Sequence, residues 1–287
     1  MISRVIQMFV DYHVHPDYSD DAEGTIDEYC RRALAIGLDE ICFTTHHDIY
    51  SPRRGIDMVA KVRRRLKKMN PNWLESYFDE IDRARKTYLE SGLKVKMGVE
   101  VDYYTDLEDE IRNDLSGYPF DYILGSVHCL DHICITHPKE YLKYFKDRTA
   151  SELCEEYYSA LKEAVRSGIF DVMAHLDIYR WYGTEYYGEE ALSLYYGLAD
   201  PILDLMVKKG IGLEINASAF RRGDNEPYPS IGLLKKGMQK GIKVFTVGSD
   251  CHRITDLGRD IKRALYVAQK FGISVHTFSQ RQVERTF

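Results

Sequence analysis

Long apolar runs are missing from this sequence. No stretch approaches the ~20 apolar residues that a membrane-spanning helix requires. The N-terminal run Met1–Val10 is too short for the apolar core of a secretion signal. The sequence therefore reads as a cytoplasmic protein without a membrane partner. Paired cysteines are missing as well. Cys30, Cys42, Cys129, Cys134, Cys154 and Cys251 include no CxxC and no zinc-finger spacing. They read as scattered reduced thiols, and thiolate-bound structural zinc is not implied. No Pro/Gly/Ser-rich linker, low-complexity stretch or fixed-period repeat interrupts the chain, so residues 1–287 read as one domain. An excess of positive charge is absent too. Lys and Arg number 39 against 45 Asp and Glu, a net charge of −6, which argues against nucleic acid as the partner.

What is present is an alternation. Short apolar runs bounded by Gly, Asp or Pro recur at residues 8–13, 40–45, 94–101, 122–127, 172–175, 212–215 and 243–248. They have the composition of strands buried on both faces. Longer helical patterns lie between them, at residues 25–36, 74–91, 150–167, 201–209 and 259–271. Thr25 followed by Glu28 is a capping box, and Gly37 is a stop signal. Pro201 suits a first helical turn. Seven β-then-α units predict parallel strands with crossover helices. A length of 287 residues fits one (β/α) barrel, which commonly runs ~250. Seven units in place of eight predict a distorted or incomplete one.

The ten histidines give this architecture a purpose. His13 and His15 follow the first strand, and His46 follows the second. Glu100 ends the third, His128 follows the fourth, and His175 ends the fifth. Asp250 and His252 follow the seventh. The C-terminal strand ends of a (β/α) barrel converge on one face, where active sites lie. His47, His132, His137 and His276 read instead as ordinary hydrogen-bonded or surface histidines. His13-Val14-His15 puts two imidazoles on one side of an extended chain. Asp250-Cys251-His252 does the same with a carboxylate and an imidazole, and points Cys251 away. Imidazole with carboxylate suits Zn²⁺, Mn²⁺ or Fe²⁺ better than Ca²⁺. With Asp21 there are nine candidate ligands, and one zinc takes three or four. Two or three divalent ions follow, with Glu100 able to bridge. Such sites clamp the attacking and leaving oxygens of a phosphoryl transfer. Hydrolysis of a phosphate ester is thus the leading chemistry, with amide hydrolysis behind it.

The same residues resemble a known superfamily. His13-Val14-His15, Ser19-Asp20-Asp21, Phe43-Thr44-Thr45-His46, Gly98-Val99-Glu100, Ser126-Val127-His128, Ala174-His175 and Gly248-Ser249-Asp250-Cys251-His252 are similar to the motifs of the PHP (polymerase and histidinol phosphatase) superfamily. The resemblance spans residue 8 to about residue 270. It narrows toward the histidinol-phosphate phosphatase branch at residues 98–103, 121–128 and 213–222, the last followed by Glu226-Pro227-Tyr228-Pro229-Ser230.

The resemblance implies a distorted TIM-like (β/α)7 barrel of the PHP type with a trinuclear site. His13, His15, Glu100 and Asp250 would hold one metal. Glu100, His128 and His175 would hold the second, and Asp21, His46 and His252 the third. Many members carry His where this chain has Asp21, and Asp20 stands beside it as a second candidate. Thr45 stands where Asp or Glu is common, so a contact behind the ligands differs. The implied reaction is hydrolysis of L-histidinol phosphate, a step of histidine biosynthesis, by a metal-bridging hydroxide attacking phosphorus in line. Glu100, Asp250 and His252 would be catalytic. Arg221 matches the family's phosphate-binding arginine, Arg222 competes for that role, and Arg180 is a second clamp for the dianion. Residues 129–148 are a candidate lid, and residues 181–188 a candidate pocket wall. The competing reading is a phosphoesterase of the same superfamily acting on a sugar phosphate, nucleotide or phosphotyrosine.

Overall fold

The computed structural model describes residues 8–47 and 73–287, together with the short strands Lys61–Val62 and Arg65–Leu66. The first seven residues of the Met1–Val10 run lie outside the described residues. Seven strands make the path of the central sheet, with the short strand His46–His47 as an eighth member beside the third: β1 (Val10–Val14), β2 (Glu40–Phe43), β3 (Lys94–Asp102), β4 (Tyr122–Ser126), β5 (Val172–Met173), β6 (Gly212–Asn216) and β7 (Phe245–Gly248). Every neighbouring pair is parallel, and the spatial order follows the chain order.

Helices make the crossovers. These are α1 (Ile26–Ile36), α2 (Trp73–Tyr88), α3 (Glu108–Ser116), α4 (Ala150–Ser167), α5 (Asp200–Lys209) and α6 (Ile231–Lys240), and α7 (Ile261–Lys270) follows the last strand. Their ends follow local chemistry. Thr25 and Glu28 close the expected capping box on α1, and Gly37 ends it at φ 74°. Thr149 and Glu152 repeat the box on α4. Each helix buries an apolar stripe against the sheet, and both faces of the strands are covered, so the core is continuous. None of the described helices is long and apolar enough to cross a membrane.

The sheet curls until β1 and β7 meet, but it does not close with a regular ladder. One parallel bridge joins Val14 to Cys251, and the His15 N–H donates to the Cys251 carbonyl at 3.0 Å. The buried Asp11 carboxylate does the rest. It accepts from Ser249 N at 2.8 Å and Gly258 N at 3.0 Å. The seam of the barrel thus lies directly beneath Asp250 and His252. β3 is the longest strand and bends. Its first half pairs with β2 and its second half with β4 and the short strand His46–His47. Gly98 sits at the bend, where a Cβ would lie 2.9 Å from the Phe43 carbonyl.

An antiparallel hairpin, β8 (His276–Ser279) with β9 (Gln282–Thr286), was not legible in the sequence. It lies across the N-terminal ends of the strands. Arg281 N donates to the Asp121 carbonyl before β4, and its guanidinium pairs with Asp171 before β5. Phe278 packs against Tyr12 and Tyr122 inside the barrel floor.

Candidate metal centre

The C-terminal strand ends bring all nine candidate ligands together. Glu100, at the inner end of β3, is the hub. Its Oε2 lies 3.2 Å from His13 Nε2, 3.5 Å from His15 Nε2 and 3.0 Å from His46 Nδ1. Its Oε1 lies 3.0 Å from His175 Nε2 and 3.5 Å from His128 Nε2. Asp250 Oδ1 faces the first pair from the other side, 3.5 Å from His15 Nε2 and 3.7 Å from His13 Nε2. On the outer side, Asp21 Oδ2 lies 3.2 Å from His252 Nε2 and 3.7 Å from His46 Nε2. The three clusters share walls and Glu100. Asp21 meets these imidazoles with its carboxylate, and the adjacent Asp20 also lines the cavity above them.

The backbone is bent to make this possible. His175 has φ 21° and Asp250 φ 53°, conformations that L residues rarely hold and that cluster at functional sites. Strand β5 therefore stops at Met173, short of the predicted His175. Asp250 and His252 meet the site through a left-handed turn, not through the extended alternation the sequence suggested. Cys251 is buried and does not line the cavity.

A layer behind the ligands fixes the rings. Glu214, on β6, takes His13 Nδ1 at 2.7 Å and accepts from His175 N at 3.1 Å. Asp102 accepts from His128 N at 2.8 Å. Ser19 lies 3.4 Å from His15 Nδ1, accepts from His46 N at 3.0 Å and is 2.9 Å from Thr45 Oγ1. Thr45 therefore reaches the ligands through Ser19. Asn216 Nδ2 donates to Glu214 at 3.0 Å and reaches Asp250 Oδ2 at 3.4 Å. A ring nitrogen held by a carboxylate leaves the other free to ligate, the usual arrangement around metal-bound histidine.

The electrostatics favour the ligating forms of Glu100, Asp250 and His128. Burial pushes the Glu100 carboxyl up, but His13 and His128 outweigh it and hold it well below the usual carboxylate range. Asp250 is likewise held well below that range, with His13 and His15 overcoming burial. Burial, with His175 and His46 nearby, drives His128 down to about 3, leaving a neutral imidazole. His13 and His46 go the other way, because the facing carboxylates outweigh burial.

These residues fit divalent ions. His13 Nε2, His15 Nε2 and Glu100 Oε2 are buried atoms without a properly directed hydrogen bond, and they converge on one point. Buried polar atoms left so are costly, and a cation resolves the cost. The ligand-type atoms of His13, His15 and Glu100 all lie within 4.8 Å of one another. So do those of His15, His46 and His252, of His13, His175 and Asp250, and of His46, Glu100 and His128.

A cavity of about 490 Å³ opens over the cluster. Asp21, His46, His128, His175, Asp250 and His252 form its floor. The predicted lid contributes a wall through Cys129, Cys134, Thr136, His137 and Pro138, and the Tyr-rich segment contributes Trp181. His47 and His137, read as ordinary histidines from the sequence, also line it. Two arginines line the cavity, Arg222 and Arg253, and Arg222 stands on the Trp181 side. Its guanidinium lies 3.5 Å above the Trp181 ring and donates to Ser218 Oγ at 2.6 Å. Arg221 and Arg180 are placed behind the wall. Arg221 donates to the carbonyls of Ser249 and Asp250 at 2.6 and 2.8 Å. Arg180 is buried against Asp177 at 2.9 Å.

Comparison with known families matches the PHP domain to residues 11–218. The chain belongs to the PHP family. The histidinol-phosphatase of Lactococcus lactis subsp. lactis is 29% identical over 280 residues, covering 96% of each chain. A Deinococcus radiodurans protein named "Probable histidinol-phosphatase" is 29% identical over 279 residues, covering 96% of this chain and 98% of its own. A crystal structure of the Lactococcus lactis histidinol phosphate phosphatase, complexed with zinc, L-histidinol and phosphate, superposes with a TM-score of 0.79. It is 27% identical, and the match covers 96% of this chain and 98% of that one. Within this PHP barrel, Glu214 and Asn216 are among the site residues that sequence reasoning left without a role. Their signal was period-two spacing on one face of β6, inside an otherwise apolar strand.

Proposed function

We propose that this protein is a metal-dependent phosphomonoesterase that hydrolyses L-histidinol phosphate to L-histidinol and phosphate. The observation that carries the reading is the convergence of six imidazoles with Asp21, Glu100 and Asp250, five of the imidazoles on Glu100 itself, beneath a small-molecule-sized cavity. The Lactococcus lactis relative with histidinol and phosphate bound supports the substrate.

Two to three divalent ions, of zinc, manganese or iron, fit the donor set. His13, His15, Glu100 and Asp250 would hold one, Glu100, His128 and His175 a second, and Asp21, His46 and His252 a third. Bound there, such ions polarise phosphoryl oxygens and lower the pKa of water. The chain's own residues do the rest. Glu100 fixes the spacing between the clusters, since each of its oxygens serves a different group of imidazoles. His252 stands beside Asp250 on the cavity floor and would pass a proton to the leaving oxygen, while Asp250 stays ionised. Arg222 presents a guanidinium to the phosphate from the wall, with its plane set by Trp181. Arg221 holds the Ser249–Asp250 main chain, so it serves the phosphate site by placing Asp250. Arg180 does the same for the loop after His175 through Asp177. Residues 1–287 act as one domain, in the cytoplasm, on a small phosphate ester and not on nucleic acid.

The test compares kcat/KM for histidinol phosphate with that for a panel of sugar phosphates, nucleotides and phosphotyrosine, on protein loaded with Zn²⁺ or Mn²⁺. A clear preference for histidinol phosphate is expected. A rate no better than for the generic esters overturns the substrate assignment, and less than one metal per chain overturns the multinuclear site.

A further inference from the structure

The hairpin that follows His128 pairs Cys129–Leu130 with Ile133–Cys134 in antiparallel register. Cys129 lies directly opposite Cys134. The turn between them is Asp131-His132, with φ 48° and 60°, the two left-handed residues of a tight type I′ turn. One position further along, Ile135 N donates to the His128 carbonyl at 2.8 Å. The His128–Ile135 pair is therefore hydrogen-bonded, and by the alternation of an antiparallel ladder Cys129–Cys134 is a non-hydrogen-bonded pair. Cα atoms in such pairs stand ~4.5 Å apart, inside the range a disulfide spans.

We propose that Cys129 and Cys134 are an oxidisable dithiol whose cross-strand disulfide turns the enzyme down. The position of the pair separates it from the other thiols. Cys30, Cys42, Cys154 and Cys251 have no exposed surface, whereas Cys129 and Cys134 keep 6% and 8% and form part of the cavity wall. A peroxide small enough to enter the cavity reaches these two and not the rest. The chemistry balances with a peroxide as oxidant. One thiolate attacks the peroxide O–O bond, giving a sulfenic acid and releasing an alcohol or water. The second thiol displaces water from that sulfur and forms the S–S bond. Two thiol hydrogens leave, and the peroxide gains two electrons.

The coupling to catalysis follows from distance. Directly opposed side chains on paired strands have Cβ atoms ~4.5–5.5 Å apart, whereas a disulfide draws them to ~3.8 Å. Closing that gap moves the backbone at Cys129, and His128 is the next residue. A misplacement of ~1 Å at a reacting centre can cost a hundredfold in rate. A bond strained in this way is also readily reduced, as regulatory disulfides are.

Metal-loaded protein treated with hydrogen peroxide, then alkylated and digested, provides the test. The expected product is a peptide containing both cysteines that is lighter by two hydrogens and unlabelled. Phosphatase activity should fall at least tenfold and return with dithiothreitol. Cys129→Ser and Cys134→Ser, each checked for folding by thermal melting, should lose the oxidised-to-reduced activity difference whatever their basal rates. Both cysteines remaining alkylatable, or passing to sulfonic acids without a linked peptide, would overturn the site. A disulfide that forms without changing the rate would overturn its coupling to His128. The mass readout needs no substrate, so it stands apart from the assignment of histidinol phosphate.

Discussion

His13 Nδ1 and Glu214 Oε1 are 2.7 Å apart, and neither side chain has exposed surface. The pair turns His13 so that Nε2 faces Glu100 and Asp250. Glu214 also holds the main chain of His175, so one carboxylate sets two of the proposed ligands. Glu214→Gln keeps the shape and removes the charge. Loss of such a carboxylate behind a metal-bound histidine costs about 10- to 100-fold in metal affinity. The expected result is weaker zinc binding in competition with a chromophoric chelator, with little change in fold by circular dichroism. Unchanged affinity would show that the contact only packs the core.

Arg222 and Arg221 should separate kinetically. Arg222 lines the cavity above Trp181, whereas Arg221 is spent on the carbonyls of Ser249 and Asp250. A hydrogen bond to a charged group contributes about 1.5–3 kcal/mol. Arg222→Ala should therefore lower kcat/KM by roughly 10- to 150-fold, mainly through KM, with metal content retained. Arg221→Ala should lower kcat and metal occupancy together, because it releases the turn that carries Asp250. The reverse pattern would return the phosphate contact to Arg221.

Metal loading should depend on pH with a definite sign. In the metal-free protein, His13 and His46 are raised well above 6.5, since Glu214 and Glu100 around the first, and Asp21 and Glu100 around the second, overcome burial. Both rings carry protons at neutral pH, and a metal must displace them. Affinity therefore rises with pH, and calorimetry in buffers of different ionisation heat should record proton release. Stability moves oppositely in the metal-free protein. A raised folded pKa gives stabilisation that is complete below the unfolded value near 6.5 and is lost as pH climbs through the folded value. The metal-free melting temperature should fall from neutral pH upward while that of the metal-loaded protein holds. Parallel curves would contradict the charged pairs.

Much of this was written in the strand ends. His13, His46, Glu100, His128 and His175 follow or end apolar runs, and a parallel barrel gathers such positions on one face. Glu214 was not legible, because a carboxylate in mid-strand looks like a solvent-facing interruption until the barrel closes around it. Asp250 was legible as a candidate ligand but not as a left-handed residue, since that conformation is imposed by the β1–β7 seam. The C-terminal hairpin escaped for two reasons. Its turn, Gln280-Arg281, takes φ 50° and 62° without a glycine. Its outer strand Gln282–Thr286 is exposed along its length and has no apolar alternation to betray it.

That hairpin should matter for stability and not for chemistry. Phe278 is buried and packs on Tyr12 and Tyr122, with centroids 6.5 and 5.1 Å away. It lies at the end of the barrel opposite the candidate metal centre. Phe278→Ala removes a large ring from a closed space, a change that costs about 3–5 kcal/mol. A fall in melting temperature on the order of 10 °C is expected, with kcat and KM of the surviving folded protein unchanged at 25 °C. A change in kcat would mean that the barrel floor and the site are coupled.

Gly248 closes the chain of contacts at the site. It is the last residue of β7, and its backbone lies against the His13–Glu214 pair. A Cβ built there would stand 2.3 Å from His13 Cβ and 2.4 Å from Glu214 Oε1. Neither neighbour can yield cheaply. His13 Cβ is fixed to the β1 backbone, and Glu214 is held by His13, His175 and Asn216. The glycine before Ser249-Asp250 therefore serves close approach, since Gly248 itself needs no left-handed conformation. Gly248→Ala should push His13 away from Glu100 and Asp250, lowering metal affinity and kcat together. Overpacking of this kind also costs about 1–3 kcal/mol of stability. Gly248→Ala with a compensating Glu214→Ala should recover only part of the stability, because the contact with His13 Cβ remains, and no metal affinity, because the carboxylate is gone. Recovery of both would mean that Glu214 is dispensable and that steric room alone sets the position of His13.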